Sequence, residues 1–165
     1  MLLRFDIHPY TLGRFLGINH ASARLVGSDR VWKRTSQREL EILHTLHVEE
    51  ALLTPTLLET YMIGTEYFMI QQYCPYKTLH ELCSSSTTFP LSKQQWSTLY
   101  ATCYHLYVDF EIDHGDLIPS NILFSDDDRF YLIDFERAAP GEGDYELLDS
   151  AMATLKKTMV SLVEE

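Results

Sequence analysis

From Tyr10 to Lys33, short apolar stretches alternate with turn residues: TLGRFLG, then ARLVG, then RVWKR after Gly27-Ser28-Asp29. Strand-length runs broken by turn formers predict antiparallel strands joined by tight turns. The period then changes. In SQRELEILHTLHVEE, Glu39, Ile42, Leu43 and Leu46 fall at i, i+3, i+4 and i+7, one face of a helix, and Ser36 followed by Glu39 forms a candidate capping box at its start. Beyond Pro55, LLETYMIG and EYFMIQQYC, joined around Gly64-Thr65, predict two more strands. The first part of the chain therefore reads as a small antiparallel sheet of about five strands with one helix packed on it.

Pro75 interrupts this pattern, TLHELC predicts a short helix, and SSSTTFP is a polar loop. From Ser92, with Gln95 in the capping position, Trp96, Leu99, Tyr100, Cys103 and Leu106 follow helical spacing and predict a long helix with a buried face. DDDR at 126–129 separates ILF from FYLIDF, a tight turn between two short strands. Leu147, Leu148, Ala151, Met152, Leu155, Met159 and Val163 are mostly helix-periodic and predict a closing helix from Tyr145 to Val163. The stretch after Asp134 has room for a linker and one long helix at about 1.5 Å per residue, so the second half is expected to be small. No internal repeat is visible.

With 165 residues, 45% of them hydrophobic, the chain can bury one sizeable core or two small lobes sharing an interface. No run approaches the roughly 18 apolar residues of a membrane span, and MLLRFDIHPY lacks a long apolar stretch and a small-residue cleavage site. A soluble, uncleaved protein with no membrane partner is expected. Cys74, Cys83 and Cys103 show no CxxC spacing, which fits a reducing, cytoplasmic compartment better than a disulfide or zinc framework. The net charge of −11 repels polyanions and disfavours direct nucleic-acid binding. Lys33 with Arg34 is the tight basic group near a candidate site.

The chemistry-bearing residues cluster late. HGDLIPSNILF at 114–124 and YLIDFERA at 131–138 set His114, Asp116, Asn121 and Asp134 among bulky apolar neighbours. HGDLIPSN closely resembles the catalytic loop HxDxxxxN of the protein-kinase-like superfamily, and LIDFE resembles its metal-binding DFG segment. Further upstream, VWK resembles the third-strand VAIK, and RELEIL resembles the start of helix C.

The resemblance implies a single α+β domain over 1–165. It would be a two-lobed protein-kinase-like fold with a small antiparallel-sheet N-lobe (about 1–74) and a truncated, mostly helical C-lobe (about 75–165). It also implies ATP and Mg2+ as cofactors and a hydroxyl-bearing acceptor. Position by position, Asp116 looks like the catalytic base, and Asn121 and Asp134 look like magnesium ligands. Lys33 is then the phosphate-binding lysine with Glu39 as its partner, Gly17 belongs to the glycine-rich loop, His114 is a structural brace and Asp144 a further brace of the catalytic loop. The residue types suit phosphoryl transfer, which needs charge neutralised on phosphates and an acceptor hydroxyl aimed in line. Asn121 and Asp134 offer hard oxygens to magnesium. Leu117, Ile122, Leu123, Leu132, Ile133 and Phe135 supply a rigid apolar frame for the polar ends.

The resemblance runs from roughly Leu12 to Met152 and is uneven. LGINHASARLV has Gly17 but alanine and serine where other kinases place further glycines. That HASA is similar to the GAEA segment of the small Bud32 kinases, and no APE motif or long activation segment follows Asp134, which suits Bud32-, RIO- and aminoglycoside-phosphotransferase-type kinases. Ile118 stands where typical protein kinases have a lysine that meets the transferred phosphate. Glu136 replaces the glycine of DFG, as in small-molecule kinases, and the chain ends SLVEE without a basic tail. An atypical serine/threonine kinase is the leading expectation, with a small-molecule kinase and a partner-binding pseudokinase as alternatives.

Other residues have plainer readings. Glu39 shares the apolar face with Leu43 and Leu46, whereas Glu41 lies with His44 and Thr45, so Glu39 is the better partner for a buried lysine. Asp126, Asp127 and Asp128 read as a solvated turn rather than a metal site. The tyrosines and Trp96 read as core rather than base-stacking platforms. His20 is left unassigned.

Overall fold

The computed structural model describes residues 12–16, 22–25, 29–49 and 52–164. Three strands open it: β1 (Leu12–Leu16), β2 (Ser22–Leu25) and β3 (Arg30–Thr35). Helix α1 (Gln37–Val48) follows at once, then β4 (Leu57–Ile63) and β5 (Glu66–Gln72). The five strands form one sheet in the order β1-β2-β3-β5-β4, with every pairing antiparallel. Gly64, at φ +62°, makes the turn between β4 and β5. Cross-strand partners point to the same face of a sheet, so the pairing of Lys33 with Met69 puts the lysine on the face where Met69 is buried with Leu43 and Leu46 of α1.

The second half starts with β6 (Lys77–Thr78) and α2 (Leu79–Ser84), the latter opened by a full capping box between Thr78 and Glu81. A second full capping box, Ser92 with Gln95, opens α3 (Lys93–Tyr104). This helix does not run on regularly to Leu106 as its spacing predicts. It widens into a π-helical turn over His105–Asp109, which carries Leu106 and Tyr107 into the core. Insertions of this kind re-aim the chain at a helix end, and here the next strand, β7 (Ile112–Asp113), leads straight into the His114 loop. Leu99 and Cys103 of α3 are fully buried, while Trp96 is only half-buried, against the expectation of a core position.

Strands β8 (Ile122–Phe124) and β9 (Phe130–Leu132) pair across the DDDR turn, and β6 adds to β8, giving a three-stranded sheet. Strand β10 (Ala139–Pro140) pairs back on β7. One terminal helix, α4 (Tyr145–Glu164), buries Leu148, Met152, Leu155 and Met159 at the expected i, i+4, i+7, i+11 spacing. The architecture is therefore the expected α+β one, with an antiparallel sheet and one helix followed by a small, mostly helical half. A continuous apolar core joins the halves, running from Leu43, Leu46 and Met69 through Leu132 and Phe135 to Leu106 and Leu148. The Leu132 N–H donates to the Leu53 carbonyl at 2.7 Å and adds a backbone link between them. Among the described residues, no helix is long and apolar enough to cross a membrane.

Candidate active site

Lys33 leaves β3 beside the start of α1, and its Nζ lies 2.7 Å from Glu39 Oε1 and 2.7 Å from Asp134 Oδ1. The Glu39 side chain is 1% exposed, and a carboxylate so buried must be paired and hydrogen-bonded. It is. Beyond Lys33, Glu39 Oε1 accepts from the Phe135 backbone N–H at 3.0 Å, and Oε2 accepts from the Thr35 hydroxyl at 2.6 Å. Burial by itself pulls the Lys33 ammonium down, but the carboxylates of Glu39 and Asp134 outweigh it and leave the group above the ordinary lysine value. Lys33 is therefore a fixed cation joining the sheet, α1 and the segment after β9.

This arrangement corrects one expectation. Ser36 does cap α1, its hydroxyl accepting from the Glu39 N–H at 3.1 Å, yet the Glu39 carboxylate does not return to Ser36, so the box is half made. Coulombic attraction to a lysine in a dry setting outcompetes a solvated backbone donor. Thr35 was missed in the sequence. Period-two alternation places it on the face of Lys33, and that was the available signal.

Asp134 sits at φ +65°, ψ +67°, a left-handed conformation that a non-glycine residue holds only when its surroundings impose it. The imposing contacts lie on both sides: the Ile133 N–H donates to the Asn121 carbonyl at 3.0 Å, and the Phe135 N–H donates to Glu39. Phe135 is fully buried, with its ring 4.7 Å from the His114 imidazole. His114 is itself fully buried, and its Nε2 lies 3.1 Å from the Ile133 carbonyl oxygen. A carbonyl only accepts, so Nε2 carries the proton, and Nδ1 is a buried acceptor without a partner among the described residues. Burial pulls this imidazole below the usual histidine value, opposed by the Ile133 carbonyl and the nearby carboxylates. A neutral histidine thus ties the loop before Asp116 to the segment carrying Asp134.

The Asp116 loop is braced throughout. Asn121 Nδ2 donates to the Asp116 carbonyl at 3.0 Å and to Asp116 Oδ2 at 3.2 Å. Asp113 Oδ1 accepts from the Gly115 N–H at 2.9 Å, and the buried Tyr107 hydroxyl leans on Asp113, burial and that carboxylate together raising the phenol well above its usual value. Gly115 has φ +71°, and a Cβ there would meet the Arg137 carbonyl oxygen at 2.3 Å. Glycine is therefore required for the loop to lie against the turn Phe135–Arg137. From that turn, Arg137 Nη1 reaches to 3.4 Å from Asp116 Oδ1, a contact no sequence pattern announced.

Asn121 uses Nδ2 on Asp116, and Asp134 gives Oδ1 to Lys33. One neutral and one anionic oxygen, Asn121 Oδ1 and Asp134 Oδ2, thus accept nothing from the described residues. Among those residues, no cluster of three or more His, Cys, Asp or Glu would cage a metal by itself. Two hard oxygens fit magnesium, which completes its shell with water and phosphate rather than with a protein cage.

Gly17 and His20 lie outside the described residues. Asp144 is placed differently from its expected role: it is exposed, and its Oδ1 accepts from the Glu146 N–H at 2.7 Å at the start of α4. A short carboxylate so close to a helix start finds the free N–H groups of the first turn before it finds the loop. Asp126 to Asp128 form an exposed turn, as expected. Asp127 pairs with Ser125 and Arg129, and Asp128 accepts from Gln95 at 2.8 Å.

A search of curated proteins finds no match to this chain. A search of protein families does: the family described as protein kinase domain matches residues 22–158. That span contains Lys33, Glu39, His114, Asp116, Asn121 and Asp134, and most of the chain with them. By the match and by the architecture, the chain belongs to the protein kinase domain family, whose chemistry is phosphoryl transfer.

Proposed function

We propose that this chain binds ATP with magnesium between its sheet half and Asp134 and transfers the γ-phosphoryl group to a hydroxyl, as an atypical serine/threonine kinase related to the Bud32 type. The observation that carries the reading is the double pairing of Lys33, at 2.7 Å to Glu39 and 2.7 Å to Asp134. A lysine anchored by α1 and aimed at an acid with a free oxygen is a phosphate contact beside a metal ligand. Asn121 and Asp134 would hold the magnesium, which neutralises charge on the phosphates when bound. The Asp116 carboxylate, oriented by Asn121, then takes the acceptor proton as the new oxygen–phosphorus bond forms. The bond to the ADP oxygen breaks, and ADP leaves with the negative charge.

A second reading, a small-molecule kinase, draws on one feature. The chain passes from Phe135–Arg137 directly into β10, which pairs Ala139 with Asp113, leaving no long segment after Asp134 on which a peptide would lie. Exposed Glu136, next to Asp134 in sequence but one, would suit a cationic small acceptor. The three cysteines, all free, support the cytoplasmic assignment.

Titration calorimetry with ATP, with and without magnesium, followed by labelled phosphate transfer to a generic protein, to aminoglycosides and to the chain itself, tests the proposal. Metal-dependent binding and transfer to any of these acceptors is the expected result. No heat at millimolar ATP and magnesium overturns it. Binding without transfer to any acceptor replaces it with a pseudokinase. Transfer confined to the aminoglycosides selects the second reading.

A further inference from the structure

Position 118 and position 137 are complementary. Ile118 is 41% exposed within the catalytic loop, an apolar side chain where the resembled motif carries a lysine. Arg137 is 72% exposed and reaches the same loop from the turn Phe135–Arg137, with Nη1 3.4 Å from Asp116 Oδ1. We propose that Arg137 is the cation that meets the transferred phosphoryl group in this chain, in place of the lysine that Ile118 displaces.

Three features carry this, and the proposal rests on the phosphotransferase reading above. First, the Arg137 backbone is locked to the loop. Its carbonyl occupies the space that a Cβ on Gly115 would need, at 2.3 Å, and the following residues close the turn by Ala138 N–H to the Phe135 carbonyl at 3.0 Å and by the Ala139–Asp113 pairing. A flexible side chain thus springs from a fixed base beside Asp116. Second, the present pair is exposed and long, a weak contact that a phosphate oxygen readily exchanges. Third, Lys33 is already held by two carboxylates, so its charge is largely matched before any phosphate arrives.

In the transfer, the acceptor oxygen forms its bond to phosphorus, the bond to the ADP oxygen breaks and the acceptor proton moves to Asp116. Arg137 donates to the equatorial phosphoryl oxygens throughout without itself gaining or losing a proton. Its planar fork matches those oxygens better than a point charge does. Removal of one such donor typically costs about 10²–10³-fold in turnover.

The test uses the full chain and Mg-ATP, reading phosphate release to water and self-phosphorylation, so no acceptor need be known. Arg137→Ala is expected to lower turnover by about 10²-fold with unchanged ATP affinity and thermal midpoint. Adding Ile118→Lys to Arg137→Ala is expected to recover at least about tenfold of that loss, because the charge returns at the displaced position. Wild-type turnover in Arg137→Ala, a loss that follows a lowered thermal midpoint, or a double variant that recovers nothing each overturns the assignment while leaving the phosphotransferase reading intact. If wild type and Asp116→Asn are equally silent, the underlying reading fails, and the assignment with it.

Discussion

Lys33 Nζ and Asp134 Oδ1 stand 2.7 Å apart across 101 positions of sequence, and the same ammonium holds Glu39 at 2.7 Å. One cation therefore ties β3, α1 and the segment after β9 into a single unit. Its strength follows from burial: the Lys33 side chain is 13% exposed and that of Glu39 is 1%.

Removing the cation should be costly. Lys33→Met leaves the Glu39 carboxylate buried with only the Thr35 and Phe135 donors, and is expected to destabilise the fold by about 3 kcal/mol. Glu39→Gln, which keeps the shape and removes the charge, should cost less. Equilibrium urea unfolding of wild type and the two variants measures the differences, and variant midpoints equal to that of wild type would show that the pair contributes nothing.

The histidine supplies a pH signature. The folded-state pKa of His114 is lowered by burial, so its contribution to stability is fully present above the unfolded value of about 6.5. It is lost as pH falls below that value toward the folded pKa, because the unfolded chain then binds the proton more readily. The slope approaches about 1.4 kcal/mol per pH unit for one group. His114→Gln, which preserves a donor to the Ile133 carbonyl without a titrating ring, should flatten stability as pH falls below about 6.5. Urea midpoints across that range give the answer, and an unchanged slope would exclude His114 as its source.

Gly115→Ala addresses how the loop is held. The residue is left-handed and meets the Arg137 carbonyl, so conformation alone should cost about 1–2 kcal/mol, with the clash adding to it. Turnover should fall alongside stability, because the loop and the Phe135–Arg137 turn must separate. A variant as stable as wild type would mean that the two segments part easily.

Asp116→Asn and Asp134→Asn separate chemistry from binding. The first keeps shape and the Asn121 contact but removes the proposed base, so transfer should fall by about 10²–10⁴-fold with ATP affinity nearly unchanged. The second removes the negative charge that pairs with Lys33 and that the proposed magnesium would need, so nucleotide binding and transfer should weaken together. Parallel calorimetry and labelled transfer distinguish them, and identical defects in both variants would contradict the assigned division of labour.

Local pattern made much of this chain legible. The strand alternation, the capping pair at Ser92, the face shared by Glu39, Ile42, Leu43 and Leu46, and the polar positions of HGDLIPSN and LIDFE depend on neighbours a few residues apart. Those are short-range rules, and they also selected Glu39 over Glu41 as the buried acid.

Tertiary structure decided where the polar ends went. The Glu39 carboxylate abandons its capping partner because folding brings Lys33, Thr35 and the Phe135 N–H to it. Asp144 turns instead to the first turn of α4, α3 widens into a π-helical turn before β7, and Arg137 meets Asp116. None of these is periodic. Each results from competition among hydrogen-bond and charge partners that become neighbours only when the chain packs, and in a dry interior the strongest available partner prevails. Sequence thus determined which residues carry charge and which face of each element they occupy. Packing decided what each charge touches.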